Sequence, residues 1–336
     1  MQSGNRILVI KLGALGDVVL ASAHIRRIVE AFPDASVTLL TSPACGKLLQ
    51  GLPGLEVVAF RRRGVVEMWR VLAWVRRSRF AVVFDLQGSL RSRIMTRVSG
   101  ACRRIGREPG FAYTHALSAG GDRKHAFDEL NDLLASQDID AADPQAWLSV
   151  PEDAHTWLDA WLDNHDLQSS KLVLMHAGSS RRWLSKRWEA VHYAGLAQAL
   201  ERRGYKVIWI GGDEDTDINR HLAKHAGIDA TSQFSFTRLA VLGRRASFAV
   251  VNDSAPMHVL AATGLPVYAF FGPTDWEHSH APGQAQHVMR NAVDCSPCFL
   301  RACPQERKHA CLHDITPAMV IACLERDGRL QGTAVP

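Results

Sequence analysis

Short apolar runs alternate with longer amphipathic stretches along most of the chain. Runs rich in Val, Ile and Phe are typical of buried parallel strands, and the stretches between them are long enough to be crossover helices. The alternation therefore predicts an α/β fold built from doubly wound, Rossmann-like sheets. The predicted strands are RILVIKL, SVTLLTS, LEVVAF and FAVVFDL in the first half, and KLVLMHAG, YKVIWIGG, FAVVND and PVYAFFG in the second.

This series of strands and helices starts twice, which predicts two domains, at residues 1–165 and 166–336. A chain of 336 residues is also longer than most single hydrophobic cores. The segment that connects the two series contains a helix beginning at Pro151, where the first helical turn tolerates proline. Two facing domains of this kind leave a cleft at the carboxyl ends of both sheets. The predicted helices span roughly 17–31, 43–51, 65–78, 187–203, 214–226, 236–245 and 255–263.

Composition and charge narrow the class of protein. The chain is 47% hydrophobic and 22% charged, and it has no apolar run of the roughly 18 residues that a membrane span needs. Lys11 interrupts the first apolar run early, so we expect no signal peptide and a cytoplasmic location. Residues 1–140 hold 20 Lys and Arg against 13 Asp and Glu, whereas residues 141–336 hold 19 against 21. The basic first half suits an anionic partner, although solvated helix faces can also account for it.

The stretch IKLGALGDVVLAS, residues 10–22, joins the first strand to the first helix. Gly13 and Gly16 allow a sharp turn, and the helix that follows presents free N–H groups and a positive dipole end to an anion. Asp17, in the first helical turn, is interpreted either as a capping residue or as a base that takes a proton from an incoming hydroxyl. The glycine spacing is not G-x-G-x-x-G, which disfavours dinucleotide binding and an NAD-dependent oxidoreductase.

A second corner of the first half lies at residues 84–93, FDLQGSLRSR, and carries Gln87 and Arg91. Arg61, Arg62 and Arg63 follow the preceding predicted strand. Their guanidinium groups are suited to binding phosphate or carboxylate, and a solvated loop is the alternative interpretation.

In the second half, polar residues follow three predicted strands. Ser179 and Ser180 can donate hydroxyl hydrogen bonds, and Lys186 is a mobile cation suited to phosphate oxygens. The acidic run after IGG either complements a helix dipole or accepts from a sugar hydroxyl or a base. Asp253 or Ser254 can cap a helix whose free N–H groups face a phosphate. His258 lies one turn further on, and it is either part of this phosphate-compatible site or an ordinary core or surface histidine.

The ordered set of IKLGALGDVVLAS, FDLQGSLRSR, HAGSSRRWLSKRW, NDSAPMHVLAATGLPVYAFFGPTD and CSPCFLRACP resembles glycosyltransferase family nine, the ADP-heptose:lipopolysaccharide heptosyltransferases. The resemblance implies a GT-B fold of two facing Rossmann-like domains with an interdomain cleft. The N-terminal domain would bind the acceptor and the C-terminal domain the ADP-sugar. The implied reaction is an inverting, metal-independent transfer of heptose to the inner core of lipid A-linked oligosaccharide.

The resemblance also assigns roles to residues of this chain. The catalytic aspartate of the family falls on Asp17, and the acidic contact after the next strand falls on Glu214 or Asp215, with Glu214 favoured. The family motif Asp-Thr-Gly-x-x-His is Asp253-Ser254-Ala255-x-x-His258 here, which keeps a hydroxyl but lacks the glycine. The expected donor-binding residues are Ser179, Ser180, Lys186, Glu214, Asp253, Ser254, Ala255 and His258, and the expected acceptor-binding residues are Lys11, Gly16, Arg61, Arg63, Gln87 and Arg91.

These assignments give a mechanism and a set of partners. Asp17 would deprotonate the acceptor hydroxyl, while Lys186 and the helix after Ser254 would stabilise charge on the departing diphosphate. Closure of the domains would exclude water from the donor. The partners are then an ADP-sugar and a phosphorylated, lipid-linked oligosaccharide, with peripheral contact to the cytoplasmic face of the inner membrane. A family member that uses another nucleotide sugar or glycan acceptor is the alternative.

Four cysteines, Cys295, Cys298, Cys303 and Cys311, are spaced C-x2-C-x4-C-x7-C. In a cytosolic chain such clustering favours metal binding over disulfides. The spacing is not that of a standard zinc finger, and a structural Zn or Fe site stands beside reduced packing thiols as an interpretation. A nucleic-acid-binding protein would use the same basic residues and cysteines. However, aromatic residues do not interleave with the Arg clusters, and the sequence therefore predicts no nucleic-acid partner.

Overall fold

The computed structural model describes residues 6–61, 64–118 and 124–330. The chain divides into two compact units, Met1–Ser149 and Val150–Pro336. Each unit is a parallel sheet flanked by helices, so the predicted α/β fold is confirmed. Among the described residues, no helix is both long enough and apolar enough to cross a lipid bilayer.

The sheet of the first unit has the strand order β3-β2-β1-β4-β5-β6. Its strands are β1 (Arg6–Ile10), β2 (Ser36–Thr41), β3 (Leu55–Ala59), β4 (Val82–Asp85), β5 (Arg103–Gly106) and β6 (His115–Ala116). Its helices are α1 (Leu15–Ala31), α2 (Pro43–Gly46), α3 (Val65–Arg77), α4 (Leu90–Ser99) and α5 (Ala126–Ala135). The chain winds outward from β1 to β3 and then returns to pair β4 with β1. Ligands of such sheets bind at this reversal, beyond the carboxyl ends of β1 and β4.

The second unit repeats this plan with the strand order β12-β11-β10-β7-β8-β9. Its strands are β7 (Lys171–His176), β8 (Tyr205–Trp209), β9 (Ile228–Asp229), β10 (Ala246–Asn252), β11 (Val267–Phe270) and β12 (Val288–Met289). Its helices are α6 (Glu152–Asn164), α7 (Ala190–Glu201), α8 (Thr216–Ala223), α9 (Phe236–Arg245), α10 (Ala255–Ala261), α11 (Trp276–Ser279), α12 (Ala310–His313) and α13 (Pro317–Arg326). Strand order reverses between β7 and β10, which pair directly.

The central strands are covered on both faces, which explains why they read as continuous apolar runs. Ile7, Val9 and Ile10 are fully buried, and Val9 pairs with Leu39 of β2 and Phe84 of β4. In the second unit, buried aromatic side chains from α7, β8 and β11 pack into one core. Backbone polar groups at the strand ends are therefore held in a rigid frame, and loops built on that frame keep a defined geometry.

Each predicted central strand is present in the structure, but helix ends differ. α2 stops at Gly46 rather than near residue 51, and α8 begins at Thr216. Helix α6, from the connecting segment, packs against α9. It therefore lies in the second unit, whereas the sequence put the boundary after residue 165.

Candidate active site

The loop after β1 places Asp17 in the first turn of α1. Its Oδ2 accepts a hydrogen bond from the backbone N–H of Ala14 at 3.1 Å, and its side chain is exposed. The capping role considered from the sequence is therefore present. The Asp17 carboxylate is nevertheless exposed to solvent, and it can also act as a base.

The corner after β4 holds this loop in place. Gln87 Oε1 accepts from the N–H groups of Leu12 and Gly13 at 2.8 and 3.1 Å. The buried Asp85 accepts from the N–H of Gln87 at 3.0 Å and from the Tyr113 hydroxyl at 2.8 Å. Burial raises the pKa of Asp85, and these hydrogen bonds partly offset the effect. Gln87 thus supports the loop that carries Asp17.

The remaining acceptor candidates lie in different environments. Lys11 is 6% exposed, and its Nζ donates to the Leu86 carbonyl at 3.2 Å. Burial lowers the pKa of Lys11, which is opposed by the nearby charge of Asp17. Gly16 is buried, Arg61 and Arg91 are exposed, and Arg63 lies outside the described residues.

Arg107 is a basic residue near this corner that the sequence analysis did not select. Its Nη1 pairs with Glu129 Oε2 at 3.0 Å, and its guanidinium lies beside Gly88. It follows β5, whose sequence RRIG has too few apolar residues to predict a strand. Without a predicted strand at β5, nothing in the local pattern places Arg107 beside FDLQG.

In the second unit, Lys186 and Asp253 form an ion pair although they are 67 positions apart in sequence. Lys186 Nζ lies 2.6 Å from Asp253 Oδ2, with side chains 18% and 9% exposed. The Thr274 hydroxyl donates to the same carboxylate oxygen at 2.7 Å. Two of the predicted donor-binding residues are therefore in direct contact beyond the end of β10.

The two predicted serines have different surroundings. Ser179 is buried, and its hydroxyl donates to the Trp183 carbonyl at 2.8 Å and accepts from Arg187 Nε at 3.1 Å. Ser180 is exposed, and its Oγ accepts from the N–H of Arg182 at 3.4 Å. Ser179 therefore shapes the turn that leads to Lys186, while Ser180 lies at its surface.

Asn252, the last residue of β10, ties three segments together. Its Nδ2 donates to the Gly178 carbonyl at 2.9 Å. Its Oδ1 accepts from the Trp188 N–H at 3.0 Å and from the Tyr193 hydroxyl at 3.1 Å. A buried amide that uses both ends fixes the loop after β7 relative to the loop after β10. The sequence analysis missed it, although a polar residue at the end of an apolar strand was the available signal.

Ser254 is half-buried at the N-cap of α10, and Ala255 is the first residue of that helix. His258 lies one turn further on and is 9% exposed. Glu214, the favoured acidic candidate, is exposed and lies 3.9 Å from Arg181. Its neighbour Asp215 is 2% exposed and points into the unit.

The four clustered cysteines line one small cavity, about large enough for a single water molecule. Burial raises the pKa of Cys311 to about 11, and the nearby Cys303, Cys295 and Cys298 raise it further. In the described part of the chain, no three His, Cys, Asp or Glu side chains are arranged so that they could hold a metal ion. The thiols therefore converge without forming a ligand set in this conformation.

Two Rossmann-like units, the second with a lysine, a carboxylate and hydroxyls at its strand reversal, are the features expected of a GT-B glycosyltransferase. The model of glycosyltransferase family 9 (heptosyltransferase) matches residues 68–309, which is more than half of the chain. The chain belongs to this family and is an enzyme of the heptosyltransferase type.

Relatives and solved structures agree with this assignment. Lipopolysaccharide heptosyltransferase 1 of Pseudomonas aeruginosa is 26% identical over 319 residues, covering 89% of this chain and 87% of the relative. A family 9 glycosyltransferase from Veillonella parvula has a TM-score of 0.83 at 22% identity, with 96% of each chain covered. The ADP-heptose LPS heptosyltransferase II of Escherichia coli has a TM-score of 0.76 at 21% identity, with 96% of this chain and 98% of that chain covered. At such identities the two structures establish the fold.

Proposed function

We propose that this protein transfers heptose from ADP-heptose to the inner core of lipopolysaccharide, with inversion at the anomeric carbon. The family and the names of its relatives support the substrate class. The observation that carries the proposal is the contact between Lys186 and Asp253, beside Ser254, at the strand reversal of the second unit. This is where a doubly wound sheet binds a nucleotide.

The donor half of the proposal assigns the diphosphate to Lys186 and Ser254. The primary ammonium of Lys186 lies at the end of a flexible side chain and binds phosphate oxygens as a point charge. Before the donor binds, the ion pair with Asp253 holds this side chain in position. As the bond to the sugar breaks, negative charge grows on the diphosphate, and a fixed cation stabilises it. Ser180, Glu214, Ala255 and His258 remain candidates for contacts to the rest of the nucleotide. With Lys186 in this role, the transfer requires no metal.

The acceptor half assigns the base to Asp17. Its carboxylate would take the proton of the acceptor hydroxyl while the oxygen attacks the anomeric carbon, and the diphosphate would leave from the opposite face. Arg61, Arg63 and Arg91 are candidates for the acceptor's phosphates or carboxylates. Gln87 and Lys11 support the loop that carries Asp17 rather than reaching out from it.

Asp17→Asn tests this assignment because the amide oxygen still accepts from the Ala14 N–H, which preserves the cap, while the base is lost. We expect transfer to fall by about 10²- to 10⁴-fold, with the Kd of ADP unchanged. The measurement is the release of ADP in the presence of acceptor. Turnover within about threefold of the wild type would leave Asp17 as a cap alone.

The alternative within the family is a different nucleotide sugar or glycan acceptor. Thermal-shift measurements with ADP-, UDP- and GDP-sugars separate the donors, because a ligand that binds the folded state raises the melting temperature. Stabilisation by a UDP- or GDP-sugar but not by an ADP-sugar would overturn the donor assignment. The core oligosaccharide of a deletion strain, analysed by mass spectrometry, would identify the missing step.

We also propose peripheral contact between the first unit and the cytoplasmic face of the inner membrane. Val65, Val66 and Trp69 at the start of α3 are 65–74% exposed, and Leu90 at the start of α4 is 69% exposed. These two helices pack against each other, and Arg91 is exposed next to Leu90. Apolar side chains bordered by arginines suit a bilayer with anionic headgroups.

The cysteine cavity carries a separate proposal, a structural Zn or Fe ion. Four thiols are the donor set that these metals prefer, and all four line one cavity. Metal analysis of protein purified without chelator should find about one equivalent. Cys298→Ser should lose it, while Cys102→Ser, at an exposed cysteine outside the cavity, should not. Less than about a tenth of an equivalent in the wild type would identify reduced thiols.

A further inference from the structure

Three side chains from separate strand ends of the second unit form a continuous chain of contacts. Asp215 Oδ2 lies 3.3 Å from Nε2 of His176, and Nδ1 of His176 lies 3.1 Å from Oγ of Ser254. The side chains of His176 and Asp215 are 5% and 3% exposed, whereas Ser254 is half-buried at the surface end. The chain therefore runs from the interior of the unit to a predicted donor-binding residue.

The polarity of this chain follows from its chemistry. Burial favours a raised pKa for Asp215, but the hydrogen bond and the charge of His176 hold that pKa below its ordinary value. A carboxylate can only accept, so Nε2 of His176 donates to it. Nδ1 is thereby directed at Ser254, whose hydroxyl also lies 3.1 Å from the Asn252 carbonyl. The buried Asp215 thus sets the orientation of the His176 imidazole, and the imidazole sets the position of the Ser254 hydroxyl.

The fold leaves a dedicated space for this arrangement. A Cβ atom on Gly178 would overlap Asp215 Oδ1, and one on Gly211 would lie 2.6 Å from Oδ2. Asp215 Oδ1 is buried, and among the described residues it has no hydrogen-bond partner. The Tyr193 hydroxyl lies 3.0 Å from the carbonyl of His176 and 3.1 Å from Asn252 Oδ1, and its single hydrogen is shared between these two acceptors.

We propose that His176, held by Asp215, is a positioning residue that sets the Ser254 hydroxyl to bind a phosphate group of the nucleotide donor. The inference rests on the proposed function and adds His176, which the sequence analysis did not select, and Asp215, which it considered only as the alternative to Glu214. In an ion pair with Asp215 both ring nitrogens of His176 carry hydrogens, so Nδ1 donates to Ser254 Oγ. The hydroxyl's own hydrogen can then turn from the Asn252 carbonyl to a phosphate oxygen. His176 itself does not touch the ligand.

A double-mutant cycle on ADP binding tests the proposal. His176→Asn and Ser254→Ala should each raise the Kd for ADP about tenfold, which is the effect of losing one hydrogen bond to a charged group. Because His176 acts through Ser254, the double variant should bind no more weakly than Ser254→Ala alone. Ser254→Thr keeps the hydroxyl and should keep the affinity. Multiplicative losses in the double variant, or an unaffected Kd in His176→Asn, would overturn the proposal.

Two controls separate positioning from damage to the fold. His287→Asn removes another buried histidine of the same unit, one that contacts Gln284 and Tyr268, and should leave the Kd of ADP unchanged. If His176→Asn does not fold, Asp215→Asn replaces it in the same cycle, with the same expected lack of additivity. Absence of ADP binding by the wild-type protein would instead refute the proposed function, so the two failures are distinguishable.

Discussion

At the scale of single residues, the proposed donor site depends on glycines that let the buried carboxylate of Asp215 approach the backbone. A Cβ on Gly178 would overlap Asp215 Oδ1, whereas a Cβ on Gly212 would meet nothing within 4 Å. Gly178→Ala should therefore lower the free energy of unfolding by about 1–3 kcal/mol and weaken ADP binding. Denaturant titration and calorimetry measure the two effects.

Gly212→Ala is the matched control. Its backbone lies in the extended region that any residue adopts, and its N–H would still donate to Asp215 Oδ2. We expect a change within about 0.5 kcal/mol and an unaltered Kd. If the two variants behave alike, the close approach at Gly178 has no energetic consequence.

Some residues of this region could be placed from the sequence, and others could not. The positions of Lys186, Asp253 and Ser254 were predictable because each follows an apolar strand, and parallel strands gather their carboxyl ends at one edge of the sheet. Whether Glu214 or Asp215 points into the unit depends on the orientation of a single 3-10 turn. Two adjacent acidic residues show no hydrophobic periodicity from which that orientation could be predicted. His176 was read as part of a strand, since its partners lie 39 and 78 positions away.

At the scale of secondary-structure elements, the strands with an apolar run were predictable, including the edge strand β3, whereas β5 and the two-residue strands were not. β1, β7 and β10 are buried on both faces, which leaves an apolar run in the sequence. β6, β9 and β12 are two residues long, and they exist because a neighbouring strand offers its backbone groups. Pairing of this kind is a tertiary effect without a local pattern.

The exposed starts of α3 and α4 carry the membrane prediction. Val66→Ser combined with Trp69→Ser removes apolar area without changing charge, and we expect weaker binding to vesicles that contain phosphatidylglycerol. Burial of such side chains in a bilayer contributes roughly 25 cal/mol per Å² of apolar surface, so the loss should be at least tenfold in a co-sedimentation assay.

Val191→Ser provides the comparison for this assay. Val191 is 71% exposed on α7 of the second unit and lies outside the proposed surface. Its replacement should leave vesicle binding unchanged. Equal binding by the wild type and the α3 double variant would show that these side chains face something other than lipid. Binding that is indifferent to phosphatidylglycerol would remove the arginines from the interaction.

At the scale of the whole molecule, one topology is used twice and carries different polar residues at each strand reversal. Both units reverse strand order beside their first strand, and both place a polar residue of the returning strand under the loop. In the first unit Asp85 and Gln87 hold the loop that presents Asp17. In the second, Asn252 holds the loop that leads to Lys186. The fold thus fixes where chemistry occurs, and the side chains at the reversal decide which chemistry it is.

Stability of the molecule toward acid is tied to a histidine remote from either loop. His24 of α1 is fully buried against Phe127, and its Nε2 lies 3.0 Å from that residue's carbonyl oxygen. Burial lowers the pKa of His24 to about 4, against 6.5 for the exposed side chain. Above pH 6.5 the imidazole is neutral in both the folded and unfolded chains. As the pH falls toward 4, the unfolded chain binds a proton that the folded chain rejects, so stability declines.

We therefore expect His24 to reduce the free energy of unfolding by about 2 kcal/mol between pH 7.5 and pH 5. His24→Gln retains a donor for the Phe127 carbonyl but cannot titrate, and urea titrations of this variant should show a pH dependence smaller by that amount. His115→Gln, at an exposed histidine of the same unit, should keep the wild-type dependence. Parallel pH curves for the wild type and His24→Gln would mean that the folded chain also binds a proton at His24. Such binding would need water or local opening at a side chain that packs closely against Phe127.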